Sequence, residues 1–169
     1  MADPRRAVAE EELRAVQDED ALLAEINYGA AAFGFWAKNA PKYLADEKVR
    51  PHSPLLLGRK LYVRYKPIGV VGVIGPWNYP IHTPMGSISY ALAAGNAVVF
   101  KPSEFTPGIG QRMADIFAEV VDEEPVFQVI TGFGETGDAL CRNAGIDVLA
   151  FTGSAATGRK VMAACAANL

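Results

Sequence analysis

The stretch Val70-Val-Gly-Val-Ile-Gly-Pro-Trp-Asn-Tyr-Pro80 decides how this 169-residue sequence is read. Its first five residues are apolar and mostly β-branched, which favours a strand. They carry no polar alternation, so both faces of that strand should be covered, as in a parallel sheet flanked by helices. The glycine and two prolines that follow stop the strand in a rigid turn.

Working outward, three further runs share this texture: Ala97-Val-Val-Phe100, Val126-Phe-Gln-Val-Ile130 and Asp147-Val-Leu-Ala-Phe151. Between and after them lie segments with helical character at 83–94, 106–121, 136–144 and 154–167. Strands alternating with helices of this length predict βαβ units. Upstream, Leu61–Tyr65 alternates and reads as another strand, followed by a turn at Pro67-Ile68-Gly69. The Ala-, Glu- and Leu-rich stretch before it predicts two helices, 7–17 and 19–45, with Pro41 inside or near the end of the second. Gly29 and Gly34 weaken that helix by roughly 1 kcal/mol each relative to Ala. Arg50-Pro-His-Ser-Pro54 is a loop, since its prolines disfavour continued helix. The expected fold is α/β: a partial Rossmann-like doubly wound parallel sheet preceded by N-terminal helices. The expected division is a helical segment at 1–60 and a partial dinucleotide-binding domain at 61–169. No internal repeat is visible.

Composition narrows the function classes. Half the residues are hydrophobic and 21% are charged, which excludes a disordered chain. The net charge is −3, so neither nucleic acid nor an anionic membrane is an expected partner. No apolar run is long enough to span a bilayer, and the acidic start reads against a cleaved leader. A cytoplasmic setting is the default expectation. Two cysteines without a CxxC pattern, and two isolated histidines, argue against a disulfide framework or a metal site. Cys141 and Cys165 fall on apolar helix faces and read as packing residues. His52 and His82 read as loop residues, His82 with the alternative of lining a substrate entrance. Asp122-Glu-Glu124 reads as a solvated turn.

Four strand ends carry the candidate chemistry, because ligands of open α/β sheets bind at the carboxyl ends of strands. In Gly75-Pro-Trp-Asn-Tyr-Pro80, the amide of Asn78 is a neutral, rigidly held donor suited to an oxyanion; the alternative is a plain rigid turn with Trp77 in the core. In Lys101-Pro-Ser-Glu104, a carboxylate and a cation stand where ribose hydroxyls are bound in dinucleotide folds. The alternative there is an exposed Lys/Glu pair ahead of a helix capped by Ser103 or Thr106. Gly132-Phe-Gly-Glu-Thr-Gly137 matches GxGxxG literally, but no acidic residue follows at the expected distance. Gly153-Ser-Ala-Ala-Thr-Gly158 opens a helix whose first-turn N–H groups, with the Ser154 hydroxyl, suit a phosphate. Both glycine turns also have a plain reading as strand-to-helix connections.

Together these motifs resemble the NAD(P)-dependent aldehyde dehydrogenase superfamily. The resemblance rests on Pro67-Ile-Gly-Val-Val-Gly-Val-Ile-Gly-Pro-Trp-Asn-Tyr-Pro80, Ala93-Ala-Gly-Asn-Ala97, Lys101-Pro-Ser-Glu104 with Thr106-Pro107, Thr131-Gly-Phe-Gly134 and Phe151-Thr-Gly-Ser154. It implies an oxyanion-hole role for Asn78 and a nicotinamide-side lining from Ile74, Pro76, Trp77 and Asn78. It implies adenosine-ribose contacts for Lys101 and Glu104 with Ser103 beside them. Gly134 would lie by the adenine, Ser154 at the pyrophosphate, and Gly153 at a close approach. The implied cofactor is NAD, with NADP as the alternative; Glu104 would repel a 2′-phosphate. The implied reaction of the full-length parent is oxidation of a small aldehyde to a carboxylic acid, by an enzyme expected to be a homo-oligomer.

Two positions depart from the family pattern: Glu135 where proline is frequent, and Thr157 where a larger aliphatic is frequent. The sequence also contains no Glu-Leu-Gly-Gly motif, and neither cysteine matches the family's nucleophile. The expectation is therefore a fragment, inactive alone. The rival reading is a non-catalytic nucleotide-binding module or assembly partner. A relative acting on acyl-CoA or acyl phosphate is a third reading, which the Pro-Trp-Asn-Tyr-Pro run disfavours. The last strand is expected to be an exposed edge, with marginal stability or self-association as the consequence.

Overall fold

A computed structural model describes residues 22–56, 58–121 and 125–166. The expected helix at 7–17 and the turn at 122–124 lie outside the described residues. Four strands form one parallel sheet: β3 (Val70–Ile74), β4 (Ala97–Lys101), β5 (Phe127–Val129) and β6 (Val148–Phe151). Their order is β5-β4-β3-β6, so the chain winds outward from β3 in one direction and then returns to its other side. This is the doubly wound arrangement expected from the strand–helix alternation. The register sets Val70 against Ala97 and Ile74 against Lys101, with Ile74 also opposite Phe151. The carboxyl ends of three strands are therefore level.

Helices α2 (His82–Ala93), α3 (Pro107–Val120), α4 (Gly134–Arg142) and α5 (Ala155–Cys165) fill the predicted positions within two residues at most ends. Pro107 opens α3 at a position where the missing N–H is not needed. The Ala93-Ala-Gly-Asn-Ala97 motif gains a physical reason here. Gly95 sits at φ +82 and lets the chain leave α2. Buried Asn96 then donates to Ala91 O at 3.0 Å and accepts from the N–H groups of Ile68 (2.6 Å) and Gly69 (3.0 Å). One side chain thus ties the end of α2 to the entry of β3. The Asp147 carboxylate does the same for β6, accepting from Val70 N at 2.8 Å.

The main core lies between the sheet and α2/α3. Val71, Val73, Val98, Phe100 and Phe127 meet Met85, Ile88, Ala91 and Met113. Phe117 stacks on Phe127, with ring centroids 4.2 Å apart.

The N-terminal region differs in part from expectation. The single helix predicted over 19–45 is a π-helical turn at Leu22–Asn27 followed by α1 at Tyr28–Tyr43, which contains Pro41. Gly29 does not break it, because α1 packs on α2 there, with the Gly29 side facing Met85 and Ile81. Phe33 reaches the main core and meets Phe117 edge-on at 5.7 Å. The strand predicted at Leu61–Tyr65 is only Leu61–Val63, β2, and pairs antiparallel with β1 (Glu47–Val49), which the sequence pattern did not predict. This pair is exposed and braced by a two-pronged Arg64–Asp46 contact, closest at 2.7 Å. That contact holds the Asp46 carboxyl below its ordinary range.

Candidate functional site

The strand order reverses direction between β3 and β6, and there the carboxyl ends open into a cleft of about 780 Å³. Three loops build it. Ile74 ends β3, and Pro76, Trp77 and Asn78 follow it; Lys101 ends β4, and Ser103 and Glu104 follow it; after β6 come Gly153 and Ser154. Gly134, at the start of α4, closes the remaining side. All ten residues singled out in the sequence therefore line one cavity.

Each loop has a local physical cause. The β3 loop is anchored at both ends. Gly75 N donates to Lys101 O at 3.1 Å. At the far end the buried Glu25 carboxylate accepts from the N–H groups of Ile81 (2.7 Å) and His82 (2.8 Å). These are donors that the start of α2 leaves without helix partners. The exposed segment carrying Trp77 and Asn78 is thus held between a sheet bond and a carboxylate cap. Trp77 is 53% exposed, so it belongs to the cleft and not to the core. His82 is neither a loop residue nor part of the cleft lining. It begins α2, stacks on Tyr28 at 3.8 Å and places Nδ1 2.9 Å from Ala24 O.

The β4 loop contains a buried cation. Lys101 is 4% exposed and donates from Nζ to Pro102 O at 3.0 Å. Burial lowers its pKa, while the nearby Glu104 carboxylate acts in the opposite direction. The alternative of an exposed Lys/Glu pair therefore fails for the lysine, though Glu104 is exposed. Ser103 does not cap α3; its Oγ accepts from Phe105 N at 3.3 Å. Thr106 occupies the cap position without a side-chain capping bond, and its buried hydroxyl has no partner among the described residues.

The two glycine turns differ. Ser154 is a true cap for α5, accepting from Thr157 N at 3.2 Å. It also shares a hydroxyl–hydroxyl bond of 3.0 Å with Thr157. A Cβ at Gly153 would lie 2.6 Å from the tip of the Phe151 ring, so the ring would have to shift to admit one. At the first turn, Gly132 has φ +148, a backbone state that disfavours L side chains. Gly134 has open space where a Cβ would be, so its glycine is not explained by crowding.

The chain matches the aldehyde dehydrogenase family model over residues 10–169. It belongs to the aldehyde dehydrogenase family. Solved aldehyde dehydrogenases superpose on it closely. A substrate-bound AldH from Staphylococcus aureus has a TM-score of 0.82 at 27% identity, covering 96% of this chain and 36% of that one. An NAD+ complex of an aldehyde dehydrogenase from Bacillus cereus gives 0.80 at 29% identity, covering 97% and 33%. The gamma-glutamyl-gamma-aminobutyraldehyde dehydrogenase of Burkholderia cenocepacia J2315 gives 0.81 at 32% identity, covering 96% and 33%. The chain thus spans about a third of the length of these aldehyde dehydrogenases.

Sequence reasoning missed several cleft residues, among them Thr83, Phe105, Asp138, Lys160, Val161 and Ala164. Lys160 and Val161 lie beyond the first turn of α5, where no local pattern marks a residue as facing a ligand. The sequence favours a packing role for Cys141. It is 6% exposed, yet it also borders the cleft. Burial above all raises its pKa to about 11. Among the described residues no group of three or more His, Cys, Asp or Glu could hold a metal, and no helix is long and apolar enough to cross a membrane.

Proposed function

We propose that this chain is the cofactor-binding portion of an aldehyde dehydrogenase whose whole oxidises an aldehyde to a carboxylic acid with NAD(P)+. The observation that carries this reading is the convergence of ten residues, from three strand ends and one helix start, on the cleft at the reversal of strand order. Open α/β sheets bind dinucleotides at that position. On this reading residues 61–169 form the nucleotide-binding unit, and 1–60 are a separate N-terminal segment.

The donor set fits a dinucleotide. Lys101 keeps ammonium protons beyond the one given to Pro102 O, and Glu104 offers a carboxylate nearby, so a ribose diol finds both a donor and acceptors. The start of α5 offers first-turn N–H groups to a pyrophosphate. Trp77, Ile74 and Pro76 form an apolar wall for the nicotinamide end. The bound dinucleotide supplies the hydride acceptor. Asn78 holds its amide toward the reacting carbonyl, where charge develops as a nucleophile adds. Glu104 favours NAD over NADP, because its charge opposes a 2′-phosphate.

The same cleft supports a silent chain. Cys141, the thiol that borders it among the described residues, is held neutral by burial and makes a poor nucleophile at neutral pH. That observation favours, as the second reading, a module that binds nucleotide without chemistry. Calorimetric titration with NAD+ and NADP+ tests the binding. The expected result is NAD+ binding that Glu104→Ala weakens about tenfold or more, from the loss of roughly 1.5–3 kcal/mol of charged hydrogen bonding. No binding at millimolar ligand would overturn the proposal. Aldehyde oxidation by the 169-residue chain would overturn the silent part.

A further inference from the structure

We propose that Glu25 and His82 form a clamp that positions Trp77 and Asn78 and so sets how tightly the nicotinamide end of a dinucleotide is held; this rests on the cofactor reading of the cleft. Neither clamp residue lines the cavity. Glu25 lies in the π-helical turn Leu22–Asn27, 56 positions before Ile81. It is 7% exposed, and its Oε2 accepts from Ile81 N at 2.7 Å and from His82 N at 2.8 Å. Its Oε1 is buried with no hydrogen-bond partner among the described residues. The two N–H groups at the start of α2 are thus the donors that offset the burial of this carboxylate. Slippage of the segment would strand a buried charge, so the anchor is stiff.

His82 holds the same joint through its side chain. Its Nδ1 lies 2.9 Å from Ala24 O, and since a carbonyl only accepts, Nδ1 carries the proton. Its ring stacks on Tyr28, with centroids 3.8 Å apart. At the opposite end of the segment, Gly75 N donates to Lys101 O at 3.1 Å. Gly75 is also hemmed in there, since a Cβ would lie 3.1 Å from the Phe100 ring and 3.2 Å from Pro84 Cγ. Only Pro76, Trp77, Asn78, Tyr79 and Pro80 lie between Gly75 and Ile81, and both prolines have a fixed φ. Tyr79 O also accepts from Thr83 N at 3.2 Å. A short, stiff segment fixed at both ends passes any shift of its α2 anchor on to Trp77 and Asn78. The hydrogen bonds of Glu25 and His82 go to Ile81, to the start of α2 and to Ala24, not to the segments that carry Lys101, Glu104 and Ser154. The clamp therefore acts on the nicotinamide end of a bound dinucleotide and spares the adenosine end.

The experiment is calorimetric titration of the 169-residue chain and its Glu25→Gln variant with NAD+ and with ADP-ribose, which lacks the nicotinamide. Glu25→Gln keeps the shape and one acceptor oxygen but removes the charge. The wild-type chain should bind NAD+ more tightly than ADP-ribose. The variant should lose about tenfold in NAD+ affinity and less than about twofold in ADP-ribose affinity, because the weakened bonds are charged ones that hold only the Trp77 and Asn78 segment. A merely structural role would weaken both ligands alike. That result, an unchanged NAD+ preference, or a wild-type chain that binds both ligands equally overturns the clamp alone. Binding of neither ligand by the wild-type chain overturns the cofactor reading and the clamp with it. Hydrogen exchange without nucleotide reads the clamp by itself: the Ile81 and His82 amides should exchange about tenfold faster in Glu25→Gln, and unchanged rates would overturn the proposal. Where Glu25→Gln fails to fold, His82→Phe keeps the stack on Tyr28 and deletes the bond to Ala24 O. It should cut the NAD+ preference about two- to threefold, and an unchanged preference would again overturn the clamp.

Discussion

The two faces of the parallel sheet are built differently. Against α2 and α3, strand side chains and helix side chains seal one another: Val73, Ile88, Val98 and Phe100 are all at most 2% exposed. Against α4 and α5, the buried apolar residues are few, namely Leu140, Cys141 and Ala164, and Gly72 stands where a strand side chain would otherwise project. Leu149, Ile146 and Leu140 close over that glycine. The cleft opens at the carboxyl end of the sheet, bordered by α4 and α5. One face supplies most of the burial that stabilises the fold, and the other is left room for a ligand. A dense core leaves no space for a cofactor, and a cofactor cleft cannot be filled by side chains.

The strongest way to break this contrast is Phe100→Ala. The residue is 1% exposed between Phe127 and the space beside Gly75, so the cavity should cost about 3–5 kcal/mol in urea unfolding. A loss below about 1 kcal/mol would mean that the α2/α3 face is not the stabilising one.

Gly110→Ala sharpens the comparison, because it carries a defect from the sealed face to the open one. A Cβ at Gly110 would lie 2.6 Å from Pro102 Cγ. The proline ring is bound to its backbone and cannot swing away. Overpacking of this kind costs about 1–3 kcal/mol. Since Pro102 O accepts from Lys101 Nζ, the displaced loop should also weaken NAD+ binding. Lost stability with unchanged affinity would show that the two faces are uncoupled there.

Raising the pH probes the open face through the Cys141 thiol, isolated by comparison with Cys141→Ala. The Cys141 thiol titrates near 11 when folded and near 9 when unfolded. The unfolded chain therefore gives up the proton first. The contribution is fully present below pH 9 and is lost as pH rises through about 11. Melting temperatures should fall over that window, and Cys141→Ala should remove this part of the fall. The smallest expected effect is Lys160→Ala. This exposed cation borders the cleft, so NAD+ affinity should drop only about two- to threefold, and less at high salt.

Much of the fold is legible from short-range pattern. β-branched runs give β3 to β6, because a strand covered on both faces must be apolar throughout. The site is legible for a related reason: strand ends in this architecture are where turn residues and polar groups collect. Other features left no local trace. β1 is Glu-Lys-Val, exposed at all three positions, with no alternation to mark it, and only its pairing with Leu61–Val63 makes it a strand. The helix entering at residue 22 begins as a π-turn, a distinction that helix propensity does not encode. Glu25 reads as one more acidic helix residue, yet it caps α2 from 56 positions away along the chain.

What the sequence determined by itself is therefore the class of fold, the strand ends and the residue types placed there, since each depends on neighbours within a few positions. Tertiary structure alone decided which face is sealed, how deeply Lys101 is buried and that Glu25 caps α2. These depend on groups brought together from distant parts of the chain. Desolvation and contact act through space, so a lysine at a strand end becomes a buried cation only when the loops around it close.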